Sequence, residues 1–527
     1  MRRIKRVLCT VLAGALLAAV PGCADQTAEM AAPQEALQEA PMEISLAFWN
    51  VADYLNGDAL QCYVEDKFHI EFVPVNINYD DYAQQLQQLA ASDNLPDIFA
   101  NDLQGTSTYG DWVEQGKIRS IPQDLSAYPN LQAYLAQDYN QQFVRADGKF
   151  YMIPRLTYSS EDMWALDRCI MVRRDWMEHL GLSVPQSWDD FTQILSAFVN
   201  DDPDGNGVAD TQGLLTSHLN TLEALYLNSF PELSNTERGW MYEDGQWMPV
   251  YASARTGPAL AQVQALYRQG LLAPNFAYTS TNEAIDAFAN GRVGAITAQY
   301  YGVVNYMIDL GMRDEVADVI QILPTWPVED GSTYRFTTSL HWSESYFGAN
   351  VDSAKLQRIC ELYNWLLSDE FALICEYGLE GTDWDRVNGA PTLRDEGALA
   401  PNLAYPSLNV LDRLVKWNQE TQYTTTPVNV RRYGKSTIEN AAAMLDWFKS
   451  KTKRVDYNFD IIFMSVPSKN SLVYNREVQD EMVKVIMGAE DATTAWPKVL
   501  ERLEESTTLA DAIRDVTAQA QAEGITP

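Results

Sequence analysis

From residue 44 to residue 100 the chain alternates between short stretches with strand character and short stretches with helix character. That alternation restricts the fold more than any other feature. Ile44-Ser-Leu-Ala-Phe-Trp-Asn50 has the alternation and aromatic content of a β-strand. A helix over Leu60 to Phe68, a strand at Ile70 to Pro74, a helix at Tyr82 to Ser92 and the run Leu95-Pro-Asp-Ile-Phe-Ala100 follow it. Strands and helices alternating at this length predict a mostly parallel sheet with helices on both faces. Ligands sit beyond the carboxyl ends of the strands in such sheets, which makes Trp49, Asn50, Asn101 and Asp102 candidates for a cleft rim. Roughly 490 residues from this point to Pro527 exceed what one core supports, so at least two lobes are expected.

The most information-dense stretch runs from Val172 to Thr211. It reads as a short helix ended by Gly181, a turn at Pro185, and an N-cap at Ser187 opening a second apolar-periodic helix, with an acidic loop after it. In that loop Asp202, Asp204, Asn206 and Asp210 fall at positions 1, 3, 5 and 9 of a calcium loop. Val208 offers its carbonyl from position 7, and Gly207 stands at position 6, where the sharp turn needs glycine. Position 12 departs from the pattern, because Gly213 replaces the bidentate glutamate. The remaining ligands must then come from Thr211, water or a distant carboxylate. The same residue types also form turns without a metal. The spacing favours a structural calcium ion, since nothing marks an open catalytic coordination position.

Charge and rare residues exclude several functions. The net charge is −34, and removal of an N-terminal segment bearing Arg2, Arg3, Lys5 and Arg6 makes it more negative still. Like charges argue against nucleic acid or an anionic membrane face as partner. Four cysteines besides Cys9 and Cys23, namely Cys62, Cys169, Cys360 and Cys375, are too few for a disulfide scaffold and form no zinc cluster. They read as buried small apolar residues with at most one bridge. With only His69, His179, His218 and His341, the chain has no HExxH, no GxSxG and no phosphate-binding glycine loop. Against this, 14 Trp and 27 Tyr leave aromatic faces over for a ligand cleft.

The amino terminus reads as an export signal. Val7 to Val20 is an apolar run after a positive n-region, too short for a bilayer of ~30 Å. It leads to Leu17-Ala-Ala-Val-Pro-Gly-Cys23, which resembles a bacterial lipobox and implies that Cys23 is diacylated, with Pro21 atypical at its position. Residues 23–42 read as a flexible tether.

Arg173-Arg-Asp-Trp-Met, Leu180-Gly-Leu and Asp202-Pro-Asp-Gly-Asn-Gly, continued by Asp210-Thr-Gln-Gly-Leu, together resemble the family 1 extracellular solute-binding lipoproteins of bacterial ABC importers, and within them the long subgroup with alginate- and oligosaccharide-binding members. Further likenesses fall in the family's order: Leu89 to Phe99, Leu260 to Phe276, Phe288 to Ile296 and Tyr377 to Trp384.

The resemblance implies a two-lobed periplasmic-binding-protein-like α/β fold, each lobe a mostly parallel sheet flanked by helices, with the cleft between them. Residues 43–155 plus about 325–378 would form lobe 1, and 156–324 plus about 379–527 lobe 2. The chain would cross between lobes at Asp147 to Pro154 and again near Ile322 to Trp326. Arg155, Tyr158 and Trp164 follow the first crossover and are candidate cleft residues, joined by Tyr300, Tyr301, Trp326, Trp342 and Trp384. Arg155 and Arg173 could also hold a uronate carboxylate in bidentate fashion.

The function so implied is capture of an oligosaccharide, neutral or mildly acidic, by a monomer anchored at the outer face of the cell membrane, and its delivery to ABC permease subunits, without catalysis. A lipid-anchored carbohydrate-active enzyme, a peptide-binding importer component and a binder feeding a sensor are the alternatives kept open.

Overall fold

The computed structural model describes residues 40–526, apart from 79–80, 104–105, 146, 159, 217–221, 234–238, 338–339, 396–398, 416–425, 456–457 and 473–475. The export signal, Cys23 and the tether up to residue 39 lie outside the described residues, as does His218. From Pro41 onward the chain is one compact unit.

Its strands begin with β1 (Met42–Trp49), β2 (Ile70–Ile77), β3 (Ile98–Asn101), β4 (Ile153–Leu156), β5 (Cys169–Arg173) and β6 (Gln212–Thr216). A hairpin of β7 (Trp240–Glu243) and β8 (Gln246–Pro249) precedes β9 (Val293–Ala298), β10 (Ile320–Ile322), β11 (Tyr334–Phe336) and β12 (His341–Phe347). Then come the hairpin of β13 (Trp384–Val387) and β14 (Ala390–Leu393), and finally β15 (Lys453–Val455).

The first sheet has the order β2-β1-β3-β12-β4. β1 lies parallel to β2 along its whole length, Met42 against Ile70 through Trp49 against Ile77, and parallel to β3. β12 runs antiparallel to both β3 and β4. The two-residue period of β1 sends Ile44, Leu46 and Phe48 into one buried cluster and Ala47 into another, so each face of this sheet carries its own core. The second sheet has the order β10-β5-β9-β6, with β6 parallel to β9 and β5 antiparallel to β9 and β10. Each sheet therefore contains one reversed strand in an otherwise parallel set. This is the two-lobed α/β fold that the alternation and the family resemblance imply.

The second lobe shows how local chemistry sets its elements. The helix Arg174–His179 ends where Gly181 takes φ 65°, and Leu182 N–H returns to Met177 O at 2.8 Å, closing a Schellman motif. The next helix, Trp188–Asn200, starts at Ser187, whose hydroxyl accepts from Asp190 N at 3.1 Å, while Asp190 Oδ2 accepts from Gln186 N at 2.9 Å. Phe191, Ile194, Leu195 and Phe198 form its buried stripe, each contributing about 2 kcal/mol by leaving water. The helix lies so close to the sheet that a Cβ on Gly294 would sit 2.3 Å from the Phe198 ring.

Packing moves the expected boundaries between lobes. Trp326 and Phe336 belong to the core of the second sheet, and β11 pairs with β15, so the chain returns to the first sheet after residue 336 and not near 325. Tyr405, Leu408, Leu411 and Leu414 pack into the core of the first sheet, so residues 401–415 join lobe 1, contrary to the expectation for everything beyond 378. The helices from 427 to 523 cover the second core, as Tyr433, Ile438, Trp496 and Val516 show. None of the four described cysteines is in a disulfide, which removes the optional bridge, and Cys62 is exposed, not buried.

Candidate functional site

Three passes of chain between the sheets meet through residues 155–158, 340–342 and 412–415, where Leu156 N–H also donates to Val415 O at 3.3 Å. Thr157 and Tyr158 N–H both donate to Leu340 O, at 2.9 and 3.0 Å, and Thr157 Oγ1 donates to Trp342 O at 3.1 Å. At this point β12 carries an irregularity between His341 and Glu344, with Ser343 at φ 62°. A bulge re-aims the side chain it carries. Here it lays Trp342 on Trp49, with ring centroids 4.9 Å apart and planes 14° from parallel. Trp49 ends β1, and both indoles are half-buried. Asn50 follows in the left-handed region at φ 53°. Asn101 ends β3, where its Oδ1 accepts from Asp102 N at 2.8 Å.

Arg155 lies beneath the stacked pair and is fully buried. Its guanidinium is 5.2 Å from the Trp49 ring and 5.5 Å from that of Trp342, and its Nη atoms donate to Arg413 O at 3.0 Å and Trp342 O at 3.1 Å. Burial, and then the charge of Arg413, lower its pKa to about 10, which leaves it a cation at neutral pH. The expectation of a ligand-facing Arg155 is therefore corrected: the side chain is an internal post that fixes Trp342 and the 412–415 turn. Arg173 is also committed elsewhere. It bonds Asp175 through Nε and Nη2 and donates to Phe288 O and Ala289 O, in a groove near Asp204 and His179.

Leu411 and Leu414 anchor the next turn in the first core, which leaves Asp412 and Arg413 to face the other lobe. Arg413 sits 5.9 Å from the Tyr54 ring, and its charge is felt by Tyr301 and Tyr433 of the second lobe. Asp412 Oδ1 is buried with no hydrogen-bond partner among the described residues. Burial pushes its carboxyl up to about 6, against the pull of Arg413, Arg432 and Arg155. Tyr433 is 3% exposed, and its hydroxyl likewise has no partner among the described residues. Arg432 donates from Nη2 to Asn305 Oδ1 at 2.7 Å, while its Nε is unmatched there. Trp164 Nε1 is a fourth unmatched polar atom, with Arg168 stacked 4.3 Å from its ring. Nearby, Asp167 is buried, which raises its carboxyl, and it accepts from Tyr158 Oη at 2.9 Å, Arg168 Nη1 at 3.0 Å and Gln299 Nε2.

The structure thus brings Trp49, Trp342, Arg155, Tyr158, Trp164 and Tyr301 together at the crossovers. Tyr300 points instead into the second core and reaches Thr437 O at 3.4 Å. Trp326 is 2% exposed, wedged against Phe191 and Trp188, and Trp384 is sealed in the β13–β14 hairpin, donating to Gly378 O at 3.0 Å. Neither is at the crossovers. Sequence reasoning missed Tyr54, Asp412, Arg413, Arg432 and Tyr433. The signal for one pair was there, an acidic and a basic residue side by side interrupting the apolar run Val410-Leu-Asp-Arg-Leu-Val415.

The acidic loop is mostly exposed. Gly207 N donates to Asp202 Oδ2 at 2.9 Å, and Asn206 Nδ2 donates to Asp204 Oδ2 at 2.8 Å and Asp210 Oδ1 at 3.4 Å. These hard oxygens, with the Val208 carbonyl, are the donor set that calcium requires. Among the described residues no three His, Cys, Asp or Glu side chains are gathered tightly enough to enclose a metal ion. The Thr211 hydroxyl donates to Phe198 O at 2.7 Å, which leaves its oxygen lone pairs and the Thr211 carbonyl as further oxygen donors. Position 12 has no room for glutamate: a Cβ on Gly213 would meet Leu271 O at 2.6 Å.

The model of the bacterial extracellular solute-binding protein family matches residues 52–372. The polygalacturonan/rhamnogalacturonan-binding protein YtcQ of Bacillus subtilis is 24% identical over 336 residues, 62% of this chain and 63% of that protein. The fructooligosaccharide ABC transporter substrate-binding protein FusA of Streptococcus pneumoniae is 31% identical over 153 residues, 28% of each chain. The chain thus spans less than two thirds of these relatives. Among solved structures, the alginate-binding protein AlgQ2 without calcium ion superposes with a TM-score of 0.66 at 14% identity, covering 91% of this chain and 98% of AlgQ2. An EF-hand mutant of FusA in complex with fructo-nystose also gives 0.66, at 17% identity over 92% and 100%.

Proposed function

Since the chain belongs to the bacterial extracellular solute-binding protein family, we propose that it captures an oligosaccharide at the crossovers between its lobes and passes it to the permease of an ABC importer. The observation that carries this reading is a group of buried polar atoms with no partner among the described residues, Asp412 Oδ1, Tyr433 Oη and Arg432 Nε, whose charges act on one another in front of the Arg155 guanidinium that underlies the Trp49–Trp342 pair. A buried polar group without a partner costs about 1–3 kcal/mol, so three side by side mark a surface made to be completed from outside. A glycan supplies what is missing. Its hydroxyls donate and accept, and its C–H faces lie flat on indole and phenol rings. The names of the similar proteins, which refer to pectic, fructo- and alginate glycans, point the same way.

The protein acts as a binder and not as a hydrolase: capture requires only that the polar atoms be matched. It is exported and held at the membrane through Cys23, as the family and the lipobox-like segment support. The loop residues Asp202, Asp204, Asn206, Val208 and Asp210 hold one structural calcium ion, with water completing the shell that Gly213 leaves open. The deciding experiment is a calorimetric screen at fixed calcium against oligosaccharides, monosaccharides and peptides, with reducing ends assayed after incubation. Micromolar or tighter binding of a glycan with no new reducing ends is the expected result. Binding of a peptide alone, or release of reducing ends, would overturn the reading.

A further inference from the structure

We propose that Asp412 is a ligand-contacting, specificity-determining residue: its Oδ1 accepts a hydroxyl hydrogen of the bound glycan, which lies between the Arg413 turn of one lobe and the Arg432–Tyr433 helix end of the other. This rests on the reading of the site as a glycan-capture cleft and adds to it a defined acceptor and a dependence on pH.

The geometry singles out this oxygen. Leu411 and Leu414 are fully buried in the first core, so the short turn Asp412–Leu414 must present Asp412 and Arg413 toward the opposite lobe. No donor among the described residues reaches Oδ1, although the Arg413 backbone amide bonds the same carboxyl. The charged and titratable groups that act on it, and those that act in turn on its arginines, come from five elements. Arg413 adjoins it in its own turn, and Arg155 lies behind on β4. Arg432 and Tyr433 close in from the helix Pro427–Tyr433, with the Tyr433 hydroxyl itself unmatched at 3% exposure. Tyr301 and Asp309 stand at the two ends of the helix Tyr300–Asp309, Asp309 facing Arg432, and Tyr54 ends the helix Val51–Tyr54 beside Arg413. Two lobes thus converge on an acceptor that neither satisfies.

A consequence for pH follows. In the empty cleft burial raises the Asp412 carboxyl to about 6, so near that pH half of the molecules carry the proton on the acceptor. A hydroxyl donating to the carboxylate stabilises the charged form, so binding expels that proton to the buffer and no covalent bond to the sugar changes. Capture is therefore strongest above pH 7 and weakens as pH falls through 6. If the bound form keeps its carboxylate down to pH 5, affinity at pH 5 is about tenfold below that at pH 7.5.

The test uses the mature protein and calorimetry with kestose, maltotriose and trigalacturonate at pH 7.5, 6.0 and 5.0, each in two buffers of different ionisation heat. For a trisaccharide that binds, the expected result is a loss of about tenfold in affinity from pH 7.5 to 5.0, and release of about half a proton at pH 6. Asp412→Asn should bind more weakly at pH 7.5 and show a flat pH profile, and Asp412→Glu should restore part of the dependence. Unchanged affinity across this range with no proton released would overturn the proposal while leaving glycan capture intact, and the wild-type measurement decides this even if a variant misfolds. Binding of none of the three at pH 7.5, with a peptide bound instead, would overturn the glycan reading and this assignment together.

Discussion

At the scale of single residues, the buried cation Arg155 at the crossovers finds its partners in backbone carbonyls and aromatic faces and not in a carboxylate. Arg155 gives up water to stack under two indoles and bond two carbonyls, an arrangement that fixes the Trp49–Trp342 pair from behind. His341 sits at the same junction, 8% exposed, with Nε2 2.9 Å from Asn140 Oδ1, and burial lowers its pKa from 6.5 to about 4. The sign of the linkage is therefore fixed. Above pH 6.5 both folded and unfolded chains hold a neutral ring. Between 6.5 and 4 the unfolded chain takes up a proton that the folded chain refuses, so stability falls as pH falls, by about 3 kcal/mol in all. Urea midpoints at pH 7.5 and 4.5 measure this. His341→Gln, which keeps an amide donor for Asn140, should lose that part of the acid destabilisation, and an unchanged difference between the two midpoints would assign it to other groups.

At the scale of elements, close approach of the Trp188–Asn200 helix to the second sheet depends on glycine. Gly294→Ala places a methyl group 2.3 Å from the Phe198 ring, well inside contact distance, and the helix must shift. Overpacking of this kind costs about 1–3 kcal/mol. The thermal midpoint should drop by several degrees, whereas Gly181→Ala, which meets no atom within 4 Å but needs φ 65°, should cost less. The acidic loop follows this same helix. A metal bound only to the folded chain adds about 2.7 kcal/mol at a free concentration one hundred times its dissociation constant. A chelator should therefore lower the melting temperature of the wild type, and Asp204→Ala should melt at the chelated temperature with or without calcium. A wild-type melt indifferent to the chelator would make the loop a turn held by its own hydrogen bonds, those of Gly207 N and Asn206 to the aspartates.

At the scale of the whole molecule, three strands of chain join the lobes and the unmatched polar atoms lie where they meet. A ligand that satisfies groups from both sides favours the closed arrangement by its differential affinity for that arrangement. Small-angle scattering at saturating glycan should show a smaller radius of gyration than the free protein. The Tyr433→Phe variant, which removes one unmatched hydroxyl from the second lobe, should bind more weakly with the same free-state radius. An identical radius with and without bound glycan would mean that the cleft is preformed.

What the sequence determined by itself was whatever depends on neighbours along the chain. The two-residue period of Ile44 to Trp49, the Gly181 stop, the Ser187 cap and the oxygen spacing of residues 202–210 are local signals, and they placed strands, helices and a candidate cation loop without reference to the rest of the molecule. The family's order of motifs extended this to two lobes. Which aromatic residues meet at the crossovers was decided only by tertiary structure. Trp326, Trp342 and Trp384 are equivalent as sequence, yet one fills a core, one is turned outward by a bulge in β12 and one closes a hairpin. The Asp412–Arg413 turn was out of reach for the same reason. Its meaning comes from Leu411 and Leu414 being drawn into a core whose first strand, with Ile44 and Leu46, lies more than 300 residues earlier in the chain, a long-range hydrophobic choice that turns the two charged residues toward the other lobe.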